Sequence, residues 1–235
     1  MLFRSQTGYA LAFAFDLLPE EKRADAAKHF EAEVARFDNH LATGFIGTPR
    51  LLPALVAAGK EDIAYRLLMN KTYPSWLYQV TLGSTTMWER WNGWTPEQGF
   101  ADPGMNSFNH YAFGAVGEFM YSHVAGIAPL QTAFRTVQVR PRPGGGLTSA
   151  RLAHRCIRGE IVSDWKLDGG KMRLTVVIPQ NTDAVICLPT TAPESVTEGG
   201  QPATAVFGKN IRVENGETVI RCGGGSYTFE LPFAG

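Results

Sequence analysis

The hydrophobic pattern of this chain changes character near residue 130, and this change restricts the folds that the chain can adopt. Before residue 130, apolar side chains recur at the three- and four-residue spacing of an α-helix. After it, short alternating runs are separated by glycine and proline, as in β-strands joined by turns. The two periods place different residues on one face, so they cannot belong to one type of element. We therefore predict an α+β chain of two domains, residues 1–130 and 131–235.

Antiparallel helix pairs joined by short loops are predicted for the first domain. The predicted helices cover residues 6–18, 19–37, 49–59, 61–71 and 108–124. Pro49 suits the first position of the third helix, with Thr48 as its cap. Residues 72–106 carry too much proline, glycine and aromatic content for a plain helix. A long stretch of this kind in a compact domain is usually a functional loop or a binding surface.

An antiparallel β-sandwich is predicted for the second domain. Its predicted strands cover residues 136–140, 159–167, 171–178, 184–188, 209–213, 217–221 and 226–231. The glycine triplets at residues 144–146 and 223–225 are typical of turns. Neither carries the lysine and Ser/Thr of a phosphate-binding loop, so nucleotide binding is not expected.

Charge and composition exclude several classes of function. The 22 basic residues balance the 22 acidic ones, whereas nucleic-acid-binding domains usually carry a basic excess. No run of about eighteen apolar residues is present, so no membrane-spanning helix is predicted. Three cysteines without a C-x-x-C pair do not form a disulfide framework, and no histidine has the spacing of a catalytic metal site. We expect no cofactor and no metal.

The apolar stretch at residues 9–15 resembles a signal peptide only superficially. Asp16 interrupts it, and no small-residue cleavage site follows before the charged residues 20–23. A core helix explains this stretch better. We therefore expect a soluble protein without a signal peptide in this chain; its compartment is left open, with the cytoplasm favoured.

The segment at residues 85–94 (TTMWERWNGW) places one carboxylate, Glu89, in strongly aromatic surroundings. Four of the chain's five tryptophans lie in or just before it: Trp76, Trp88, Trp91 and Trp94. Indole faces stack on sugar rings as they do on other apolar surfaces, and a carboxylate beside a sugar can exchange a proton at a glycosidic bond. Glu89 is therefore the first candidate for a catalytic residue. The alternative is an ordinary loop or helix-cap carboxylate paired with Arg90 or another cation.

A second candidate, His110, follows in residues 106–111, at the first turn of the last predicted helix. A histidine in this position can donate a hydrogen bond to a substrate hydroxyl. It can equally serve as a helix cap or as a core side chain. The sequence leaves both interpretations open.

Four segments together resemble the bacterial α-L-rhamnosidases of glycoside hydrolase family 78. They are residues 43–48 (TGFIGT), 73–76 (YPSW), 83–91 (GSTTMWERW) and 107–114 (SFNHYAFG). Their order and spacing match as well as their residues, and the resemblance covers nearly the whole chain. It implies an (α/α)6 barrel of helix hairpins followed by a C-terminal β-sandwich. It also implies an inverting hydrolase that removes terminal α-L-rhamnose from a rhamnose-containing glycoside.

The resemblance implies roles for the residues singled out above. Glu89 matches the general base, which activates the attacking water, and His110 matches a histidine that contacts the sugar. Trp76, Trp88 and Trp91 match aromatic residues of the pocket, where they are expected to bind substrate. The family's general acid is a glutamate in an earlier part of the barrel, and it has no counterpart here.

The chain is therefore expected to be the C-terminal portion of such an enzyme, with a partial (α/α)6 barrel. We expect it to be inactive alone, and its uncovered apolar faces predict association with itself or with a missing N-terminal part. Two other functions remain open at this point. One is a non-catalytic carbohydrate-binding protein with the tryptophan loop as its platform. The other is an inverting hydrolase of the same barrel type with a different sugar.

Overall fold

A computed structural model of the 235-residue chain describes residues 4–233. The chain divides into two compact units, Met1–Phe119 and Met120–Gly235. The first unit is mainly helical and the second is rich in strands, which confirms the α+β class. No helix within residues 4–233 combines the length and the apolar character needed to cross a bilayer.

The first four helices of the first unit follow the predicted order, and two short helices come after them. They are α1 (Gln6–Ala14), α2 (Glu20–Ala35), α3 (Thr48–Ala57), α4 (Glu61–Met69), α5 (Trp76–Thr81) and α6 (Val116–Phe119). The first ends earlier than predicted because Asp16, just beyond it, takes a positive φ that no helix tolerates. The cap of α3 also differs from the prediction. Gly47 occupies that position, and the Thr48 hydroxyl instead donates a hydrogen bond to the Gly44 carbonyl at 2.9 Å.

Aromatic rings pack at the centre of the helical unit. Tyr9 and Phe13 of α1 both stack on the fully buried Phe30 of α2, with ring centroids 5.7 and 6.0 Å apart. On α3, Leu51 and Leu55 are completely buried. Helix α1 therefore buries its Tyr9 and Phe13 face in the core, as predicted, whereas Phe15 and Leu17 just beyond its end are 58 and 68% exposed.

The last predicted helix is broken into three short pieces. A 3-10 helix at Tyr111–Ala115 leads into α6, and a π-helical turn follows at Met120–Val124. Gly114 and Gly117 lie in this stretch, and glycine lowers α-helix propensity by about 1 kcal/mol relative to alanine. A single regular helix over residues 108–124 is therefore wrong.

The aromatic stretch at residues 72–106 is more ordered than the sequence predicts. It contains α5, whose cap is Ser75: the Ser75 hydroxyl accepts a hydrogen bond from the Tyr78 N–H at 3.1 Å. It also contains a small hairpin in which β1 (Trp94–Thr95) pairs with β2 (Gly99–Phe100). A 3-10 turn at Pro103–Met105 follows. Helix α5 was not predicted.

The described part of the second unit consists mainly of two sheets, together with one short α-helix, the π-helical turn and several 3-10 turns. Its elements are β3 (Ile127–Pro129), β4 (Thr136–Val139), β5 (Ser149–Cys156), β6 (Gly159–Asp168), β7 (Lys171–Ile178), β8 (Asp183–Leu188), β9 (Thr197–Glu198), β10 (Gln201–Pro202), α7 (Ala203–Phe207), β11 (Ile211–Glu214), β12 (Glu217–Cys222) and β13 (Gly225–Pro232). One sheet has the order β10-β9-β13-β7-β6-β5 and the other β11-β12-β8-β4-β3.

The strand pairing is antiparallel with one departure from the prediction. Strands β4 and β8 run parallel, with Thr136 opposite Asp183. Between them the chain crosses to the other sheet and forms β5, β6 and β7, and a parallel pair needs a long crossover of this kind. The sequence prediction of purely antiparallel pairing is therefore wrong at this pair.

Buried side chains lie opposite one another across the six-stranded sheet. Trp165 of β6 faces Leu174 of β7, which faces Phe229 of β13, and all three are fully buried. The Trp165 indole N–H donates to the Val124 carbonyl at 2.7 Å, so its polar atom is satisfied. In the five-stranded sheet the completely buried Ile186 contributes to the core.

Candidate active site around Glu89

Glu89 lies in the loop between α5 and β1 and is partly exposed. Its N–H donates to the Ser107 carbonyl at 2.8 Å, and its Oε2 accepts from the Ser107 N–H at 2.9 Å. Its Oε1 accepts no hydrogen bond from the residues that the structure describes, and no ion pair joins Glu89 to Arg90 there. The carboxylate is thus held by one oxygen and offers the other.

The segments that carry Glu89 and His110 run side by side. The Met87 carbonyl accepts a hydrogen bond from the His110 N–H at 2.8 Å. This bond lies close to the one between Glu89 and Ser107, since Met87 precedes Glu89 and His110 follows Ser107 by only a few residues. Farther along, the Ala101 N–H donates to the Gly93 carbonyl at 2.9 Å. The structure therefore brings together the two polar residues that the sequence predicts for the site.

His110 serves as a helix cap, one of the two roles that the sequence left open. Its Nδ1 accepts from the Ala112 N–H at 3.4 Å and caps the following 3-10 helix. Its ring stacks on Phe45 with centroids 4.7 Å apart and planes inclined by 22°. No residue in the described part of the chain uses its Nε2. That nitrogen is available to a ligand while the stacking contact fixes the orientation of the ring.

Three of the four tryptophans near Glu89 in the sequence are buried and pack against other aromatic side chains. Trp76, Trp88 and Trp91 are only 6, 6 and 8% exposed. Trp91 stacks on Phe113 with centroids 4.0 Å apart, and Trp88 meets Phe108 edge to face at 5.0 Å. The Trp76 indole N–H donates to the Phe113 carbonyl at 2.9 Å. These three indoles leave little surface for a sugar, so they do not form the exposed platform that the carbohydrate-binding alternative needs; Trp94 is half-buried.

A surface depression of about 690 Å³ adjoins the two paired segments. This volume falls within the range of about 300–1,000 Å³ that is typical of small-ligand sites. Its walls are mainly apolar, and Asn109 supplies a polar side chain. The residues that line it are Phe45, Pro49, Met87, Asn109, Tyr111, Ala112, Gly114 and Ala115.

Two residues of this site escaped the sequence analysis. Ser107 holds Glu89 through its backbone, and backbone partners leave no residue-type signal. Gln79, 2% exposed, makes hydrogen bonds to the backbone on both sides of Glu89. It lies in the unpredicted helix α5, so no pattern pointed to it. Within residues 4–233, no three His, Cys, Asp or Glu side chains are grouped so as to hold a metal ion.

The depression lies beside Glu89 and His110 in the chain, but neither of these residues lines it. A helical unit with a carboxylate held by Ser107, a histidine stacked on Phe45 and a nearby depression, followed by a strand-rich unit, fits a glycoside hydrolase. Comparison with protein families gives a more specific result. Residues 3–124 match the bacterial α-L-rhamnosidase six-hairpin glycosidase domain, and residues 126–202 match the bacterial α-L-rhamnosidase C-terminal domain. The chain belongs to the bacterial α-L-rhamnosidase family.

Individual relatives agree with this result. An α-L-rhamnosidase of Streptomyces avermitilis is 44% identical over 97% of this chain, and one of Formosa agariphila is 42% identical over 98%. These matches cover 21% and 25% of the two relatives. The chain therefore spans about a fifth to a quarter of the length of the curated relatives it matches.

Solved structures show the same relationship. The crystal structure of the Streptomyces avermitilis α-L-rhamnosidase complexed with L-rhamnose superposes with a TM-score of 0.88, covering 96% of this chain and 21% of that one. An α-L-rhamnosidase from Dictyoglumus thermophilum gives 0.87 at 30% identity, covering 98% and 26%. The resemblance found in the sequence, to a C-terminal portion of these enzymes, is confirmed.

Proposed function

We propose that this chain supplies the general base and part of the sugar pocket of an inverting α-L-rhamnosidase. The substrate is a glycoside with a terminal α-L-rhamnose, and the catalytic residue contributed here is Glu89. The observation that carries the proposal is the state of its carboxylate. Ser107 fixes one oxygen at 2.9 Å, and the other oxygen is offered to a ligand.

The chemistry follows from this geometry. In an inverting hydrolase, a carboxylate removes a proton from water while the water attacks the anomeric carbon. Oε1 of Glu89 would accept that proton, and the contact of Oε2 with Ser107 would hold the side chain in one orientation. His110, aligned by Phe45, would donate to a sugar hydroxyl through Nε2. Trp76, Trp88 and Trp91, predicted to bind sugar, would act mainly by supporting the loop.

We infer that the helical part, residues 1–130, belongs to an (α/α)6 barrel and that residues 131–235 form a β-sandwich. Large apolar side chains are strongly exposed on the helical unit, including Ile46 at 76% and Tyr111 at 89%. We propose that these side chains are covered by another copy or by further parts of a barrel, as contiguous apolar patches are in interaction sites.

The experiment has to allow for the general acid, which has no counterpart in this chain. An inverting site places its acid about 6.5–9.5 Å from the base, to protonate the leaving oxygen. A chain that supplies only the base should cleave ordinary rhamnosides very poorly. An aryl rhamnoside with a strongly activated phenol needs little protonation of its leaving group, and so it tests the base by itself.

The decisive experiment measures hydrolysis of such an activated aryl α-L-rhamnoside by the full chain. Glu89→Gln should lower the rate by about 10²–10⁴-fold, the usual effect of losing a general base. Glu97→Gln is the matched control, because Glu97 lies exposed in the same aromatic stretch, residues 72–106, in the turn between β1 and β2. It should leave the rate unchanged. Turnover that persists in Glu89→Gln would contradict the assigned base, and an α-configured rhamnose product would contradict inversion.

A further inference from the structure

Gln79 is a buried carboxamide whose two polar ends both point at the loop that carries Glu89. Its side chain is only 2% exposed, on helix α5. The amide Nε2 donates to the Arg90 carbonyl at 3.1 Å, and Oε1 accepts from the Trp88 N–H in a longer contact of 3.4 Å. Gln79 therefore spans Glu89 from the residue before it to the residue after it.

Buried polar groups need hydrogen-bond partners, and here the Gln79 amide and the loop backbone satisfy each other. The loop provides the partners that the Gln79 amide needs. In return, the amide satisfies backbone groups of a segment that belongs to no regular sheet. With the Glu89 N–H bonded to Ser107 at 2.8 Å, three consecutive residues are each tied to a neighbouring segment.

Helix α5 is itself firmly held. Ser75 caps its first turn, and the Trp76 indole N–H donates to the Phe113 carbonyl at 2.9 Å. Trp76 also packs edge to face against Trp91, with centroids 5.6 Å apart. Gln79 thus presents its amide from a fixed support, which is the requirement for a side chain that positions another.

We propose that Gln79 is the positioning residue of Glu89: it fixes the backbone on both sides of the carboxylate and so aims the carboxylate at the substrate. This inference rests on the proposed role of Glu89 as general base. Gln79 itself touches no reacting atom. Its effect is to keep the carboxylate in place, because a misplacement of about 1 Å can lower a rate about 10²-fold.

A second buried glutamine of this chain provides a control for the loss of a buried carboxamide. Gln6 of α1 is 1% exposed and makes the same double contact in another loop. Its Nε2 donates to the His40 carbonyl at 2.9 Å, and its Oε1 accepts from the Ala42 N–H at 2.8 Å. Gln6→Met removes a buried carboxamide clamp as Gln79→Met does, but in the loop between α2 and α3, which carries Phe45, the ring that stacks on His110, and not the proposed base.

The first measurement is steady-state hydrolysis of the activated aryl α-L-rhamnoside by the full chain. Gln79→Met should lower kcat by about 10- to 100-fold with a much smaller change in KM, because the base is displaced while the pocket remains. Gln6→Met should leave kcat within about twofold of the original chain when rates are expressed per folded molecule, and an effect passed through Phe45 to the sugar contact of His110 should appear in KM. Equal losses of kcat in both variants would overturn the inference.

The second measurement does not depend on activity. Amide hydrogen exchange of Ser107 reports on the Glu89 carboxylate, and that of Glu89 reports on its backbone. Both should exchange faster in Gln79→Met and stay unchanged in Gln6→Met, which should instead accelerate exchange at Ala42. Unchanged exchange at both sites in Gln79→Met overturns the inference. If exchange responds but the original chain does not hydrolyse the rhamnoside, the proposed function fails while the positioning contact stands.

Discussion

At the scale of single residues, the surroundings distinguish two glutamates of the aromatic stretch at residues 72–106 as candidates for catalysis. Glu97 lies exposed in the turn between β1 and β2. Glu89 has its N–H and one carboxylate oxygen bonded to Ser107. A side chain that is already held loses less conformational entropy when a substrate binds, which favours catalysis by pre-organisation. The residue type is shared, and the hydrogen bonds distinguish the two.

Gly93 is a second residue whose role depends on its neighbours. The Asn106 amide donates to the Gly93 carbonyl at 2.8 Å, and a Cβ added at Gly93 would lie 2.6 Å from Asn106 Oδ1. Gly93→Ala should therefore displace Asn106 and destabilise the chain by about 1–3 kcal/mol, as overpacking usually does. Urea unfolding followed by circular dichroism measures this change.

The control for that substitution is another glycine of the same unit. Gly117 lies in α6, and a Cβ there would meet nothing within 4 Å. Gly117→Ala should stabilise the chain by about 0.5–1 kcal/mol through helix propensity. The two substitutions add the same methyl group with opposite expected signs. Equal effects would show that the Asn106 contact has no energetic role.

At the scale of elements, the contribution of α5 depends on its cap. Ser75 is fully buried and accepts from the Tyr78 N–H, while Ser5 caps α1 in the same way by accepting from the Gly8 N–H at 3.1 Å. Removing such a cap usually costs about 0.5–2 kcal/mol. Ser75→Ala and Ser5→Ala should both lose stability in this range. Only Ser75→Ala should also slow cleavage of the activated rhamnoside, because α5 carries the support of Glu89.

Hydrolysis rates and urea unfolding of both variants provide the check. Loss of activity in Ser5→Ala to the same extent would contradict a specific role for α5. Intact activity in Ser75→Ala, together with a normal loss of stability, would show that the support of Glu89 survives without the cap. Either result is decisive because both variants remove one hydroxyl from the same structural position.

The elements also show where sequence patterns succeed. Helices α2 and α4 were predicted because their apolar residues repeat over several turns. Helix α5 was missed because six residues are too few for a helical period, which needs a window of about 11–18 residues. Strand β5 was missed because its side chains alternate only between exposed and half-buried positions. A weak contrast between two faces gives a weak alternation in the sequence.

The candidate site was predictable in its residue types and not in its contacts. Glu89 and His110 stand in recognisable motifs, so the sequence found both. The burial of Trp91 could not be foreseen, because its stacking partner Phe113 lies 22 residues farther along the chain. Gln79 gave no signal for a related reason. Its partners are the Trp88 N–H and the Arg90 carbonyl, and almost any residue type provides these backbone groups.

At the scale of the whole molecule, the stability of the chain should depend on pH through His123. This histidine lies in the π-helical turn that begins the second unit, and its Nδ1 is 2.8 Å from the Ser122 hydroxyl. Burial, and then the nearby Arg142 and Arg140, lower the pKa of His123 to about 4. Arg140 is itself paired with Glu217, 2.7 Å away.

The folded and unfolded states bind a proton at His123 at different pH values. The unfolded chain binds a proton at His123 near the ordinary pKa of about 6.5, whereas the folded chain does so only near 4. Above pH 6.5 neither state is protonated there, and this contribution to stability is constant. As the pH falls from 6.5 towards 4, the unfolded state gains the proton first, so the free energy of unfolding decreases. Partial contact with solvent limits the decrease to about 1–3 kcal/mol.

Urea unfolding at several values between pH 7.5 and pH 4.5 tests this expectation. His123→Gln removes the titrating group while keeping a polar side chain for the Ser122 hydroxyl. The variant should therefore lose less stability than the original chain over this range, by about 1–3 kcal/mol at its acidic end. Parallel curves for the two proteins would contradict the prediction, because the loss would then come from carboxylates that both share. A weaker dependence of the free energy of unfolding on pH in the variant would show that His123 contributes strongly to the acid sensitivity of the folded chain.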